Sequence, residues 1–269
     1  VSSAMDLQVK LVNDGFAQPY RSAETQRLPD WASWRDEAFG FTFEPVVIAY
    51  NPRTLPPEDI PSTRFDLVRL LREKPDLYYG RIATYDIAQS GVGYLLATQD
   101  ARQAHTFGQL IEGFGRNAVR LSCCTGDVLQ AIADGRVLLG YNLLGSYVRQ
   151  HIAAGVPLAS VLPRDYTLVI SRVVFIHRAA ANVAAARAFL DFLLSRIGQE
   201  VLAEDSSLYA IHSDLSGPGT AEGLHRELEG PLRPVTLGPG LLGYLDRIKQ
   251  QRFLAEWRTA MGSNRVGGD

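Results

Sequence analysis

Three times in this chain a short apolar stretch of strand character runs into small polar residues that open a helix. Residues 82–85 lead through Ser90-Gly91-Val92-Gly93 into a helix expected over 91–105. Ser122 and Thr125 precede a helix expected over 127–133, closed by Gly135. A strand expected over 137–141 then reaches Asn142-Leu143-Leu144-Gly145-Ser146, where another helix starts. Strands alternating with helices in this way specify an α/β fold with a largely parallel sheet.

The same junctions carry chemistry. Serine caps helices and glycine lets the backbone bend. Small residues also leave the first-turn N–H groups uncovered at the positive end of the helix dipole, where an anion can be held. Ser2-Ser3 is a fourth such point, able to cap a helix that Asn13-Asp14-Gly15 ends. In open α/β sheets ligands sit where strand ends meet helix starts. Four such termini suggest a cleft lined by N–H groups and hydroxyls, suited to carboxylate or phosphate.

The remaining elements follow from periodicity. A strand over 46–50 stops at Asn51-Pro52 and enters a proline-rich connection, followed by an amphipathic helix over 66–74. The segment YTLVISRVVFIHR reads as a strand pair or one bent strand. NVAAARAFLDFLLSRIGQEVLAED places Val183, Ala186, Phe189, Leu190, Leu193, Leu194 and Ile197 at helical spacing. A final helix precedes a Gly-rich tail after Met261, expected to be loose.

Charge and composition exclude several classes. With 27 basic and 29 acidic residues among 269 and no long single-sign run, the chain lacks the basic stripe of a nucleic-acid binder. No apolar run approaches the roughly 20 residues of a membrane helix, so membrane insertion is not expected. The five histidines fall in no HExxH or HxH spacing, and Ala88 stands where a glycine-flanked nucleophile would need Gly. Neither the dinucleotide fingerprint nor a phosphate loop ending in GK[ST] occurs. Glu58-Asp59 and Glu204-Asp205 lie in polar loop sequence and read as solvated, which leaves Asp86 as the sole acid well placed at a strand end. No catalytic residue, metal ligand or cofactor is therefore expected, and an α/β enzyme acting on a phosphorylated small molecule stays a secondary reading. Cys123 and Cys124 are adjacent, so they are not a CxxC motif and cannot make a metal site alone. They read either as a vicinal disulfide or as two small thiols at a helix start, with no redox role assigned.

Several longer stretches resemble a family. NPRTLPPEDIPSTRFDLVRLL with GRIATYD…SGVGYLL, then CCTGDVLQAIADGRVLLGYNLLGSYV, then SRVVFIHR through AIHSDL, are similar to type 2 periplasmic solute-binding proteins of ABC transporters, the group that includes ferric-iron binders. Within it the chain is most similar to phosphoglycerate transport regulatory proteins, periplasmic binders that feed a two-component sensor. The resemblance implies a two-lobed "Venus flytrap" closing on ligand. Its first lobe would comprise about 1–49 plus 168–269 and its second about 52–162, with hinges near 49–52 and 163–168. It implies no enzyme activity but capture of a small phosphorylated or carboxylated acid, for an ABC permease or a sensor ectodomain. The implied ligand residues are Ser2, Ser3, Asn51, Ser90, Gly91, Val92, Gly93, Ser122, Thr125, Asn142, Ser146 and Arg172, the last as a counter-charge or as a solvated or hinge-bridging arginine. Ser90 would donate its hydroxyl, and the N–H groups of Gly91 to Gly93 would complete the nest. Ferric binders carry adjacent tyrosines after the strand matching 137–141; here Asn142 to Ser146 separate Tyr141 from Tyr147, which favours an organic anion over iron. Family members also carry a strand-helix-strand portion before the segment matching Ser2-Ser3, so a first lobe truncated at its N-terminus is expected.

Overall fold

The computed structural model describes residues 1–103 and 105–262, and the Gly-rich tail lies outside the described residues. In chain order the elements begin with α1 (Met5–Asn13), β1 (Ser33–Trp34), β2 (Ala38–Gly40), β3 (Glu44–Tyr50), α2 (Arg64–Glu73), α3 (Pro75–Tyr78) and β4 (Ile82–Tyr85). They continue with α4 (Gly91–Gln103), α5 (Phe107–Arg116), β5 (Arg120–Ser122), α6 (Thr125–Ala133), β6 (Leu139–Leu144), α7 (Gly145–Ala153) and β7 (Ala159–Val161). The last are β8 (Thr167–Ile170), β9 (Val173–Val174), α8 (Val183–Leu194), α9 (Arg196–Asp205), α10 (Ala221–Glu227), β10 (Leu232–Pro234) and α11 (Arg247–Ala260).

These elements form two compact units. Unit 1 comprises Val1–Pro45 and Leu168–Leu245, and unit 2 comprises Val46–Thr167 with the segment from Asp246 onward. In unit 1, β1, β2 and β9 form an antiparallel ladder, with Phe39 opposite both Ser33 and Val174. Phe39, Phe41, Val174 and Ile176 pack there with Leu190 and Leu194 of α8. The long helix expected from 183 onward is two helices, because Ser195 takes an extended conformation and caps the second by accepting from Gly198 N–H. As a consequence Ile197 falls outside the α8 stripe and is 66% exposed, although its spacing matched. The YTLVISRVVFIHR segment is likewise two strands, β8 and β9.

Unit 2 is built on β3, β6, β4 and β5. β4 lies parallel to both β5 and β6, whereas β3 runs antiparallel to β6 and pairs β7 along its other side. The helix expected over 66–74 starts at Arg64, because Thr63 and Asp66 cap each other reciprocally in a capping box. Ile48, Leu67, Leu71, Ile82, Leu110, Phe114 and Leu139 fill its core.

The expected first lobe ran through to residue 269, but the last helix groups with unit 2. The cause is aromatic burial. Phe253 of α11 meets Tyr94 edge-on at 5.8 Å and stacks on Phe107 at 6.1 Å, and Trp257 is also buried. The α11 terminus approaches α5 so closely that a Cβ on Gly115 would lie 1.8 Å from the Ala260 carbonyl oxygen. Glycine is required there for that contact.

Asp6 is buried on the inner face of α1, and burial raises its carboxyl from the ordinary 3.8 to about 6 against an opposing hydrogen bond from Leu7 N–H. A carboxyl raised in the folded state binds more protons folded than unfolded, so its contribution is full below pH 3.8 and lost as pH rises through about 6. Asp6→Asn removes that penalty. The variant should gain up to about 2–3 kcal/mol over the parent above pH 6, shrinking towards zero near pH 4, in urea unfolding followed across that range.

Candidate functional site

Parallel pairing decides where the candidate residues gather. Because β4, β5 and β6 point the same way, their carboxyl ends share one edge of the unit 2 sheet, and α4, α6 and α7 all start from that edge. Ser90 to Gly93, Ser122 to Thr125 and Asn142 to Ser146 are thereby brought together. Thr84 Oγ1 donates to the Tyr141 carbonyl at 3.0 Å, and the Tyr85 and Thr125 hydroxyls share a hydrogen bond of 2.5 Å. Beneath the edge lies a small apolar cavity lined by Tyr85, Gly93, Phe107, Phe114, Tyr141 and Trp257 among others.

Each junction differs in detail from its expectation. Ser90 is buried, and its Oγ accepts from Gly93 N–H at 3.1 Å, so Gly93 spends its N–H on the cap rather than on an open nest. Gly93 is glycine for a packing reason, since a Cβ there would fall 2.3 Å from Tyr85 Cβ. Gly91 and Val92 supply the first two N–H groups of α4, which an α-helix leaves without intrahelical partners. Asp86, the one acid read as a possible base, is a turn residue whose carboxylate accepts from Ala88 N–H at 3.0 Å and Gln89 Nε2 at 2.8 Å. At the second junction the helix begins at Thr125 rather than 127, and Cys123 and Cys124 are joined in a disulfide. Both cysteines are exposed, and of the two readings the structure holds the vicinal disulfide.

The third junction has no loop. β6 runs on to Leu144 and α7 starts at Gly145, with Ser146 buried in its first turn. Within β6, Val47 opposes Leu143 but Ala49 opposes Gly140, which inserts one extra residue at Tyr141–Asn142. Asn142 takes φ +59°, a left-handed conformation that asparagine tolerates better than most residues. Consecutive strand residues normally face opposite sides. The bulge lets both Tyr141 Oη and Asn142 Nδ2 donate to Asp100 Oδ2, at 2.7 and 2.6 Å.

Asp100 is the centre of a network that sequence reasoning missed. Its Oδ1 accepts from Tyr166 Oη at 2.7 Å and pairs with Arg64 Nη2 at 3.3 Å. Arg64 also donates from Nε to Tyr141 Oη at 2.8 Å and from Nη1 to the Tyr166 carbonyl at 2.7 Å, and it stacks over the Tyr166 ring. Desolvation raises the Tyr141 and Tyr166 phenols, and the Asp100 charge adds to this, so both stay neutral donors. Burial alone would lower Arg64, yet Tyr141, Asp100, Tyr166 and Asp165 hold it above its usual range. The available signal was a charged residue on the buried side of each helix: Asp100 among the apolar residues of α4, and Arg64 at the start of α2.

Two groups of candidates lie elsewhere. β3 is antiparallel to β6, so Asn51 at its end sits at the opposite edge of the unit 2 sheet, beside the start of β6. There its Oδ1 accepts from Arg53 N–H at 2.9 Å, a local turn that the side chain itself closes. In unit 1, Ser2 bridges to Val173 through two backbone hydrogen bonds, and its Oγ accepts from Ala4 N–H at 3.1 Å. Ala4 rather than Ser2 or Ser3 is the residue at the N-cap, and Ser3 contributes its carbonyl to Met5 N–H. Arg172 is paired with the fully buried Glu44, Nε to Oε1 at 2.9 Å, which neutralises much of its charge locally.

Comparison with known proteins places this architecture. The model for bacterial extracellular solute-binding proteins matches residues 1–205. The chain belongs to that family. A substrate-binding protein of an ABC transporter from Agrobacterium tumefaciens is 40% identical, superposes with a TM-score of 0.90, and is matched over 97% of this chain and 77% of its own. AfuA from Actinobacillus pleuropneumoniae, solved with fructose-6-phosphate, has a TM-score of 0.74 at 20% identity, over 96% of this chain and 81% of its own. Iron-bound HitA from Pseudomonas aeruginosa has a TM-score of 0.68 at 17% identity, over 95% and 79%. No protein of curated function matches the chain. The fold is thus that of the type 2 periplasmic binding proteins, and this solute-binding protein is of the ABC-transporter type, a group of binding and transport proteins rather than enzymes. Among the described residues no helix is long and apolar enough to cross a membrane.

The network gives a direct test. Asp100→Asn leaves the buried Arg64 with the partly exposed Asp165 as its remaining ion-pair partner and should cost about 3 kcal/mol in denaturant unfolding. Gly93→Ala should cost at least about 1–3 kcal/mol through its clash with Tyr85. By contrast, Asn142→Gly, which keeps the left-handed backbone, should lose less than Asn142→Ala by roughly 1 kcal/mol or more.

Proposed function

We propose that this solute-binding protein captures a small organic anion, phosphorylated or carboxylated, and delivers it to an ABC permease or to a two-component sensor ectodomain. The observation that carries the reading is the convergence of three helix N-termini, those of α4, α6 and α7, on one edge of the unit 2 sheet. Each terminus carries a partial positive charge, and together they favour an anion over a neutral solute. Gly91 and Val92 would offer backbone donors, whereas the Thr125 hydroxyl is committed to Tyr85. Asn142 would contribute through the bulged backbone it sustains, since its carboxamide is committed to Asp100. The commitment of the Tyr141 phenol to the same carboxylate argues against a tyrosine-based iron site at this edge.

A thermal-shift screen against phosphoglycerates, phosphoenolpyruvate, sugar phosphates, di- and tricarboxylates and ferric citrate tests the reading. A ligand at 100 times its Kd should add about 2.7 kcal/mol, a shift of roughly 5–11 °C. Gly91→Asp puts a carboxylate against the α4 terminus, where it suits the helix but repels an anion. It should abolish the shift while leaving the ligand-free Tm unchanged. Asp86→Asn should keep binding, and a shift with ferric citrate alone would overturn the reading. Co-purification with a permease or a sensor ectodomain separates the two partners.

A further inference from the structure

Among the described residues, the cluster of His, Cys, Asp or Glu side chains able to converge on one ion lies at the β5–α6 junction. We propose that the Cys123–Cys124 pair, once reduced, binds one thiophilic divalent cation together with Asp127. One ligand atom from each of the three residues lies within 4.8 Å of the others, and all three are exposed. The backbone dictates this. Cys124 is the N-cap residue of α6 and Asp127 is the third residue of the helix, so the first turn folds the carboxylate back towards the cap. Asp127 Oδ2 lies 3.8 Å from Cys123 Sγ and 3.4 Å from Ser122 Oγ. The Cys124 side chain makes no capping hydrogen bond, and a Cβ added to Gly126 would meet nothing within 4 Å, so one flank of the cluster is open.

The chemistry follows from charge and softness. In the disulfide form the two sulfurs are bonded to each other and carry no charge, leaving Asp127 as the sole anionic donor. Reduction by two equivalents of a small-molecule thiol transfers two electrons and two protons to the pair, and the reductant leaves as its own disulfide. Two adjacent thiols and a carboxylate then crowd one small volume. A soft cation that displaces the two thiol protons relieves that crowding, and thiolate donors select such cations over Mg2+ or Ca2+. The remaining coordination positions face the open flank. An extracellular protein resides where disulfides persist, so the site is closed by default and opened by reductant. The chain holds only these two cysteines, so thiol counting reports on this site alone.

The test uses the full chain, as isolated and after reduction and anaerobic desalting. Thiols are counted with a chromogenic disulfide, and cadmium chloride is titrated by ultraviolet thiolate-to-metal absorption and equilibrium dialysis. Two thiols should appear only after reduction, and the reduced chain should then bind one Cd2+ that the oxidised chain does not. Cys123→Ser and Cys124→Ser should each abolish that reduction-dependent binding with far-UV dichroism unchanged. Asp127→Asn should weaken it by about tenfold or more. Failure to release thiols, equal cadmium uptake by both forms, or a serine variant that still binds on reduction would overturn the proposal. Full affinity in Asp127→Asn would overturn the part given to the carboxylate.

Discussion

A single carboxylate without access to solvent organises the second unit. Asp100 accepts from Tyr141, Asn142 and Tyr166 and pairs with Arg64, and these partners come from β6, the approach to β8 and α2. A buried carboxylate is tolerable only when its oxygens are fully engaged and its charge is matched. That requirement explains the bulge in β6: two consecutive residues must reach one oxygen, so the strand departs from its pleat and Asn142 takes a left-handed backbone. Hydrophobic residues of the same volume could fill the space. They would not specify which of the two faces Asn142 presents, nor hold the end of β6 where α7 begins.

From that anchor the geometry of the edge follows. β4, β5 and β6 are parallel, so their carboxyl ends cannot be anywhere but together, and each is followed within a few residues by a helix start. The helices are held by ordinary packing: α4 lies on Tyr85 so closely that Gly93 is obligatory, and Thr125 ties α6 to the same tyrosine. Much of what looked like ligand chemistry at these junctions is therefore spent internally. The Ser90 hydroxyl caps Gly93, Thr125 meets Tyr85, and the Asn142 carboxamide meets Asp100. On the proposed reading, a solute would meet the first N–H groups of α4 and the field the three helix starts share.

The vicinal cysteines sit on this edge but outside its packed part. Their neighbours are the exposed strand β5 and the first turn of α6. Exposure gives reductants and cations access to the pair, and the third helical position supplies a carboxylate at the right height.

Reading along the chain was enough to find the strands and helices around the site, because local pattern dictates them. Residues 82–85 form a strand in both readings, and the small polar runs after 85, 122 and 141 do mark helix starts. Helix boundaries were less legible where one residue decides, as at Ser195, whose capping turned one periodic stretch into two helices. Asn51 and Ser90 look alike in sequence, each a small polar residue after a strand. Only the antiparallel sense of β3 sends Asn51 to the far edge, and strand direction is a property of pairing rather than of either strand alone. Likewise Arg64, Asp100 and Tyr166 are far apart in the chain, and nothing local says that they meet. The sequence by itself determined the α/β class, the capped helix starts and the absence of catalytic motifs, since these depend on neighbours within a few residues. The tertiary structure decided which hydroxyls were spent on internal partners and where α11 came to rest. Those outcomes depend on burial and on hydrogen-bond partners contributed by remote segments.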